Sequence, residues 1–120
     1  MKTVFIIGPF IKDPEGNKKK FEAMALRLWQ AGFFAFNPIA NCYYMFGVVP
    51  EATFVAGNCE AIRKLRFNAA ILLDGWEQSV GSKREIEAMR EVGTPVFTTF
   101  EKLCEWRDLT ERVEKEVGEV

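Results

Sequence analysis

Short apolar runs alternate along the chain with longer segments in which apolar residues recur every three to four positions. The short runs predict buried strands of a parallel sheet over residues 3–7, 33–36, 68–73 and 95–98. The periodic segments predict amphipathic helices over residues 18–31, 56–66, 82–92 and 100–117. Residues 10–17 and 74–81 are rich in polar and turn-forming residues, so we expect loops there.

Residues 39–53 follow neither period, and they carry the aromatic side chains of Tyr43, Tyr44 and Phe46. We expect a long functional loop in this segment, with room for one turn of helix. A fifth strand within the segment is the alternative, since only four strands are clear from the pattern.

The alternation of strands and helices predicts right-handed β–α–β units and a single α/β domain over residues 1–120. Its parallel sheet is expected to have four to five strands, with helices on both faces. Ligands of such open sheets bind at the carboxyl ends of the strands. Function is therefore expected in the three segments that follow strand ends, residues 8–17, 37–46 and 74–82.

The charges nearly balance, with 16 basic and 17 acidic side chains and a net charge of −1. This balance gives no electrostatic basis for binding a nucleic-acid polymer. No stretch approaches the roughly 18 apolar residues of a membrane span, and we expect neither a signal peptide nor a membrane partner. The three widely spaced cysteines form neither a disulfide framework nor a zinc ligand set, which favours a reduced, cytoplasmic domain.

The chain contains no histidine. This absence excludes Ser–His–Asp catalysis, Cys–His catalysis and any histidine-ligated metal. If the protein is an enzyme, carboxyl groups must therefore act as its acid, base or nucleophile.

The loop at residues 74–81 and the helix after it carry the richest set of candidate residues. Ser82 and Glu85 have the S-x-x-E spacing of a capping box, in which Ser82 caps the helix. In the functional interpretation, Glu85 lies in the first turn as a nucleophile that the positive end of the helix keeps ionised. Gly81 and Ser82 would then offer backbone N–H groups and a hydroxyl to an anion or a sugar.

Glu60, near the start of the preceding helix, is either a solvated side chain or a second carboxylate that reaches the same cleft. Two carboxylates without histidine are sufficient to cleave a glycosidic bond. Phe10 and the aromatic residues at 43–46 either form a wall for a flat ring or plug the edge of the core. The three lysines at residues 18–20 are interpreted as a solvated helix start, with contact to a phosphate as the alternative.

The Gly-Pro pair after the first strand and the segment from Ala69 to Ala88 resemble the nucleoside 2-deoxyribosyltransferase-like superfamily. From Gly75 to Glu85 the chain has the pattern Gly-Trp-x-x-Ser-x-Gly-x-x-x-Glu, as in small phage and bacterial members. The resemblance covers roughly residues 2–97 and implies a flavodoxin-like (Rossmann-like) three-layer sandwich with a five-stranded parallel sheet. Characterised members transfer deoxyribose between bases or hydrolyse the N-glycosidic bond of nucleosides or nucleoside monophosphates.

The resemblance also implies roles for individual residues. Glu85 takes the position of the family nucleophile, and Glu60 that of a helix carboxylate, which is usually Asp. Ser79 is the variant seen in the monophosphate hydrolases, whereas Pro9 replaces the Ser of their phosphate-binding loop and Lys83 replaces a glycine. The implied catalytic residues are Glu85 and Glu60, and the implied substrate-binding residues are Gly8, Pro9, Phe10, Asn37, Tyr43, Trp76, Ser79, Gly81 and Ser82.

We therefore expect an N-glycosidase or deoxyribosyltransferase that acts on a (deoxy)nucleoside or a nucleoside 5′-monophosphate. Glu85 would attack C1′ of the sugar, and Glu60 would orient the sugar or carry the proton. The resemblance implies no metal or other cofactor, and it implies a homodimer or a larger homo-oligomer. Two alternatives stay open, a non-catalytic nucleotide-binding module of the same fold and a glycohydrolase of NAD-type dinucleotides.

Overall fold

Four parallel strands form the sheet at the centre of the computed structural model, which describes residues 1–118. They are β1 (Thr3–Ile7), β2 (Phe34–Phe36), β3 (Ala69–Leu72) and β4 (Val96–Phe97). Their spatial order is β2-β1-β3-β4, with Val4 of β1 paired to Ala35 on one side and to Ala69 on the other. Each strand lies within one of the predicted apolar runs, so the four predicted strands are confirmed.

Helices cover both faces of this sheet. Those in the described residues are α1 (Pro14–Gln30), α2 (Pro38–Cys42), α3 (Glu51–Leu65), α4 (Val80–Glu91) and α5 (Phe100–Gly118). Phe21 of α1 and Leu103 of α5 are buried in the apolar cluster on one face. Ile62 of α3 and Met89 of α4 are buried in the cluster on the other face. The sheet is thus the middle of three layers, which confirms the predicted flavodoxin-like α/β sandwich.

The chain reverses its course across the sheet between β1 and β3. From β1 it crosses to β2 on one side, and through α3 it returns to β3 on the opposite side of β1. The carboxyl ends of these two strands lie side by side, since Ile7 of β1 pairs with Leu72 of β3. The connections that follow them lead to opposite faces of the sheet, which opens a crevice between their first residues.

Two helices begin four or five residues earlier than their apolar periodicity predicts, and α4 begins two residues earlier. The first helix, α1, begins at Pro14 because Asp13 accepts a hydrogen bond from the Gly16 N–H at 3.1 Å and proline suits the first helical position. The third, α3, begins at Glu51, directly after Pro50. The predicted loop over residues 10–17 and the predicted helix start at residue 56 are therefore wrong at these ends.

Residues 38–45 form short helices. Asn37 caps α2 by accepting a hydrogen bond from the Ile39 N–H at 3.1 Å, and a 3-10 turn (Tyr43–Met45) follows. Within residues 1–118 the sheet contains no fifth strand. The alternative of a strand in this segment is therefore wrong, and so is the five-stranded sheet that the resemblance implies.

Candidate functional site

The loops that follow β1 and β3 meet at the carboxyl edge of the sheet and enclose a small cavity. Gly8, the first residue after β1, packs directly against Leu73, and a Cβ atom at Gly8 would lie 2.9 Å from Leu73 Cβ. Buried Asn17 of α1 holds the loop by donating a hydrogen bond from Nδ2 to the carbonyl of Phe10 at 3.1 Å. Gly8 and Phe10 both line the cavity, so these contacts fix its wall on the β1 side.

Glu85 lies in the second turn of α4 and lines this cavity, although the residue is only 6% exposed. Asn58 of α3 donates a hydrogen bond from Nδ2 to Oε2 of Glu85 at 2.8 Å. Because α3 and α4 pack on the same face of the sheet, this bond joins the two helices beside the cavity. Glu85 therefore stands at the carboxyl edge of the sheet, one turn farther into its helix than the sequence predicts.

Burial raises the pKa of the Glu85 carboxyl group from 4.5 to about 7. The hydrogen bond from Asn58 lowers this pKa and the charge of Glu51 raises it, both by less than burial does. The prediction that the positive end of α4 keeps Glu85 ionised is wrong, because Glu85 lies beyond the first turn of the helix and burial is the largest influence on its pKa. Close to pH 7 the carboxyl group is present in both forms and is able to take up or release a proton.

Glu51, the first residue of α3, is a second carboxyl group on the wall of the cavity. Its pKa is raised by burial as well. Val55 and Asn58 follow on the same face of α3 and also line the cavity. Gly81 lets α4 approach this face, since a Cβ atom there would lie 3.0 Å from Val55 Cγ2. The close packing of the two helices thus brings two carboxyl groups to one cavity, where the charge of Glu51 opposes the ionisation of Glu85.

Glu60 does not reach this cavity. Its side chain is 56% exposed, and its carboxylate pairs with Arg63 at 3.6 Å and with Lys64 at 3.2 Å. It lies two residues beyond Asn58 and therefore about 200° around the helix. The expectation that Glu60 brings a second carboxylate to the cleft is wrong, and Glu51 occupies that place.

The start of α4 differs from the predicted capping box. Ser79 caps the helix, since its Oγ accepts a hydrogen bond from the Ser82 N–H at 3.1 Å. Glu85 bonds to Asn58, so both halves of the predicted box are wrong. Ser82 is 1% exposed and lines the cavity, and its Oγ has no hydrogen-bond partner in the described part of the chain. A buried hydroxyl without a partner is costly, and a polar ligand in the cavity would satisfy it.

A second, larger cavity opens outward from the one that Glu85 lines. The inner cavity has a volume of about 40 Å³, close to the space of one water molecule, whereas the outer cavity has about 570 Å³. The residues that line both are Phe10, Glu51, Val55, Ser79 and Gly81. Pro9 lines the outer cavity. A ligand in the outer cavity, which has the size of ordinary small-molecule sites, would therefore have one end beside the inner cavity that Glu85 lines.

Three residues that were expected to bind substrate lie outside both cavities. Asn37 is engaged as the cap of α2. Tyr43 packs edge-on against Phe10, and Nζ of Lys18 lies 4.9 Å from the centre of the Tyr43 ring. Trp76 packs against the apolar cluster beneath α3 and α4. The expectation that Asn37, Tyr43 and Trp76 line the pocket is therefore wrong.

The inner cavity is lined by the following residues that sequence analysis singles out: Gly8, Phe10, Phe46, Ser79, Gly81, Ser82 and Glu85. The rings of Phe10 and Phe46 meet edge to face with centroids 5.1 Å apart, so part of the predicted aromatic wall exists. Glu51 is missed because the predicted helix starts at residue 56, five residues too late, whereas Asn58 lies within the predicted helix and only the packing of α3 on α4 shows that it bonds to Glu85. The Pro-Glu pair at residues 50–51 is typical of a helix start and would have corrected the boundary.

Residues 1–118 contain neither a candidate metal site nor a candidate membrane-spanning helix. No three His, Cys, Asp or Glu side chains are grouped closely enough to hold a metal ion. No helix in this range combines the length and the apolar character that crossing a bilayer requires.

Comparison with known proteins identifies a family. The model of a family described as a domain of unknown function (DUF4406) matches residues 2–98. This range includes every residue that lines the two cavities. No curated protein and no solved structure matches the chain. Because the match spans most of the sequence, the chain belongs to the DUF4406 family.

Proposed function

We propose that the protein cleaves or transfers the N-glycosidic bond of a (deoxy)nucleoside or a nucleoside 5′-monophosphate. The observation that carries the proposal is the pair of carboxyl groups, Glu85 and Glu51, beside a cavity of small-molecule size. Such pairs cleave glycosidic bonds because one carboxylate attacks the anomeric carbon while the other carboxyl group transfers the proton. The resemblance to the nucleoside 2-deoxyribosyltransferase-like superfamily supports a nucleoside as the substrate.

In the first step, the ionised Glu85 attacks C1′ of the sugar. A bond forms between a carboxylate oxygen and C1′ while the bond from C1′ to the base nitrogen breaks. The electron pair of that bond stays on the base, which takes a proton from Glu51. Asn58 donates its hydrogen bond to Oε2, so Oε1 is the oxygen that attacks.

In the second step, water attacks C1′ of the glycosyl-enzyme and the bond to Glu85 breaks. Glu51, now ionised, accepts the proton of the water and returns to its starting state. The products are the free sugar or sugar phosphate and the free base. When a second base replaces water as the acceptor, the same step transfers the sugar.

The positions of the two carboxyl groups, rather than their resting protonation, support this division of roles. Burial raises the pKa of both groups, that of Glu85 to about 7, and the charge of Glu51 raises the pKa of Glu85 further. A single proton on the pair therefore favours Glu85, and the reactive arrangement, with that proton on Glu51, is the less populated of the two. Glu51 is the better donor, since it lines the outer cavity as well, where the base would lie.

A 5′-phosphate would bind at the start of α4. Ser79, Val80 and Gly81 line the outer cavity there, and the backbone N–H groups of a first helical turn favour an anion. The Ser82 hydroxyl, which lines the inner cavity without a partner, is the adjacent polar group for the sugar.

The test is incubation of the protein with a panel of nucleosides and 5′-monophosphates, with free base measured by chromatography. We expect base release from the wild type and a loss of several orders of magnitude in Glu85→Gln. Glu60→Gln is the matched control, because Glu60 is an exposed glutamate outside both cavities. Base release that survives Glu85→Gln at the wild-type rate would contradict the mechanism.

The same panel separates the two alternative functions. Tight binding of nucleotides without any base release would identify a non-catalytic binding module. Release of nicotinamide from NAD, with every mononucleotide left intact, would identify a dinucleotide glycohydrolase.

We further propose that the protein is a cytoplasmic homodimer. Leu26 and Trp29 of α1 and Phe34 of β2 form an exposed apolar patch at the edge of the sheet, which supports burial against a second copy. The three cysteines are free thiols, which supports a reducing compartment. Sedimentation equilibrium is expected to give a dimer for the wild type and a monomer for Trp29→Glu. A monomeric wild type would contradict the assembly.

A further inference from the structure

Three basic side chains from three different elements line the outer cavity. Lys12 lies in the loop after β1, Lys20 lies on α1 and Arg84 lies on α4. Among residues 1–118, none of the three takes part in an ion pair. Their charges are therefore available to a ligand, and they are distributed over two opposing walls of the cavity.

Three carboxyl groups also line the outer cavity, each at a different position in its wall. Asp13 is committed to the cap of α1, where it accepts a hydrogen bond from the Gly16 N–H. Glu51 lies at the inner end, which it shares with the cavity of Glu85. Asp74, after β3, is the remaining one. Away from the inner end, three cations thus face two carboxylates, and the wall has an excess of positive charge.

The three lysines at residues 18–20 lie in different surroundings. Lys18 pairs with Glu22 at 2.9 Å and packs over Tyr43, so it is already engaged. Lys19 is exposed and lines neither cavity, whereas Lys20 lines the outer one. The phosphate contact that the sequence leaves open therefore falls on Lys20.

We propose that the outer cavity binds a chain of two or more phosphates, so that the substrate is a nucleoside di- or triphosphate or a pyrophosphate-linked dinucleotide. The inference rests on the proposed function and extends its substrate class beyond the monophosphate. The first phosphate lies at the start of α4 beside Arg84, and the next ones reach Lys12 and Lys20 on the opposite wall. Basic side chains bind phosphate oxygens through charge-assisted hydrogen bonds, which in arginine come as a parallel pair.

The test is calorimetric titration of the intact protein with inorganic phosphate, pyrophosphate and tripolyphosphate at low salt. We expect tripolyphosphate to bind at least about tenfold more tightly than phosphate, because each added charged contact contributes a factor of this order. Lys20→Ala and Arg84→Ala are each expected to weaken tripolyphosphate binding about tenfold. Their chain neighbours, Lys19→Ala and Lys83→Ala, lie outside the cavity and are expected to bind as the wild type does.

Two results would overturn the inference. One is tripolyphosphate binding that is absent or no tighter than phosphate binding, and the other is an equal loss in Lys20→Ala and in Lys19→Ala. Competition against tripolyphosphate with a nucleoside triphosphate and with a pyrophosphate-linked dinucleotide identifies which of these carries the phosphate chain.

The inorganic probes contain neither sugar nor base, so their binding is independent of turnover. Base release from monophosphates without tripolyphosphate binding would keep the proposed function and overturn the phosphate-chain site. Tight tripolyphosphate binding without base release from any nucleotide would support the site and overturn the glycosidic function.

Discussion

Replacing Glu85 with Gln is expected to make the fold more stable than the wild type, and increasingly so as the pH rises. The carboxyl group titrates near 4.5 in the unfolded chain and at about 7 in the folded protein. The folded state therefore binds this proton more tightly than the unfolded chain does. The stability that the bound proton contributes is complete below pH 4.5. It is lost as the pH rises through 7, because the buried group must then ionise in the folded state.

The magnitude follows from the size of the shift. One pKa unit corresponds to about 1.4 kcal/mol, so the wild type should lose about 3 kcal/mol between pH 4.5 and pH 8 through this group. Glutamine is neutral at every pH, has nearly the same shape and offers an oxygen to the Asn58 Nδ2 donor that now bonds Oε2. The variant should therefore match the wild type at pH 4.5 and exceed it by about 3 kcal/mol at pH 8.

Urea denaturation of both proteins at pH 4.5, 6 and 8 measures this difference in the free energy of unfolding. Glu60→Gln is the matched control, because Glu60 is an exposed glutamate on the neighbouring helix that forms ion pairs with Arg63 and Lys64. For the control we expect no gain in stability at pH 8. A Glu85→Gln variant whose advantage is the same at pH 4.5 and pH 8, or that is less stable at pH 8, would refute the reasoning.

Three further outcomes are expected. The kcat/KM of the wild type on its best substrate should fall as the pH rises through about 7, because the pair then loses the proton that the leaving base requires, and Glu51→Gln should remove this falling limb; an unchanged falling limb would exclude Glu51 as the donor. Ser79→Ala removes the cap of α4 and should cost about 1 kcal/mol in urea denaturation, whereas an unchanged midpoint would contradict the capping role. Gly8→Ala should lower the free energy of unfolding by about 1–3 kcal/mol in the same assay, since the added Cβ would clash with Leu73. An unchanged free energy of unfolding would show that the loop moves enough to accommodate the Cβ.

The strands and the three layers are predictable because their signal is local. The central strands β1 and β3 are buried on both faces of the sheet, so their residues are apolar without interruption, as in residues 4–7. The helix starts at Pro14 and Glu51 are less visible, since the first turns of these helices carry few apolar residues. In those turns the capping residues and prolines set the start of the helix. The spacing of hydrophobic residues does not reveal these residues.

The second carboxylate is not predictable from local pattern alone. Glu51, Asn58 and Glu60 all belong to α3, and which of them faces the cavity depends on how that helix packs against α4. The ionisation of Glu85 poses the same problem. The packed structure shows that Glu85 is buried one turn inside α4, and this burial is what raises the pKa of its carboxyl group.

The helix α5 makes the folding unit of this chain larger than the family match. The match ends at residue 98, and α5 (Phe100–Gly118) lies beyond it. Leu103 nevertheless is fully buried in the cluster on one face of the sheet, and Arg107 donates a hydrogen bond to the carbonyl of Ala31 at 2.7 Å. A protein cut at the family boundary would expose that face to water, although both cavities lie inside the boundary. The segment shared with the family and the segment that folds as one unit are therefore different, and a minimal folded fragment has to include α5.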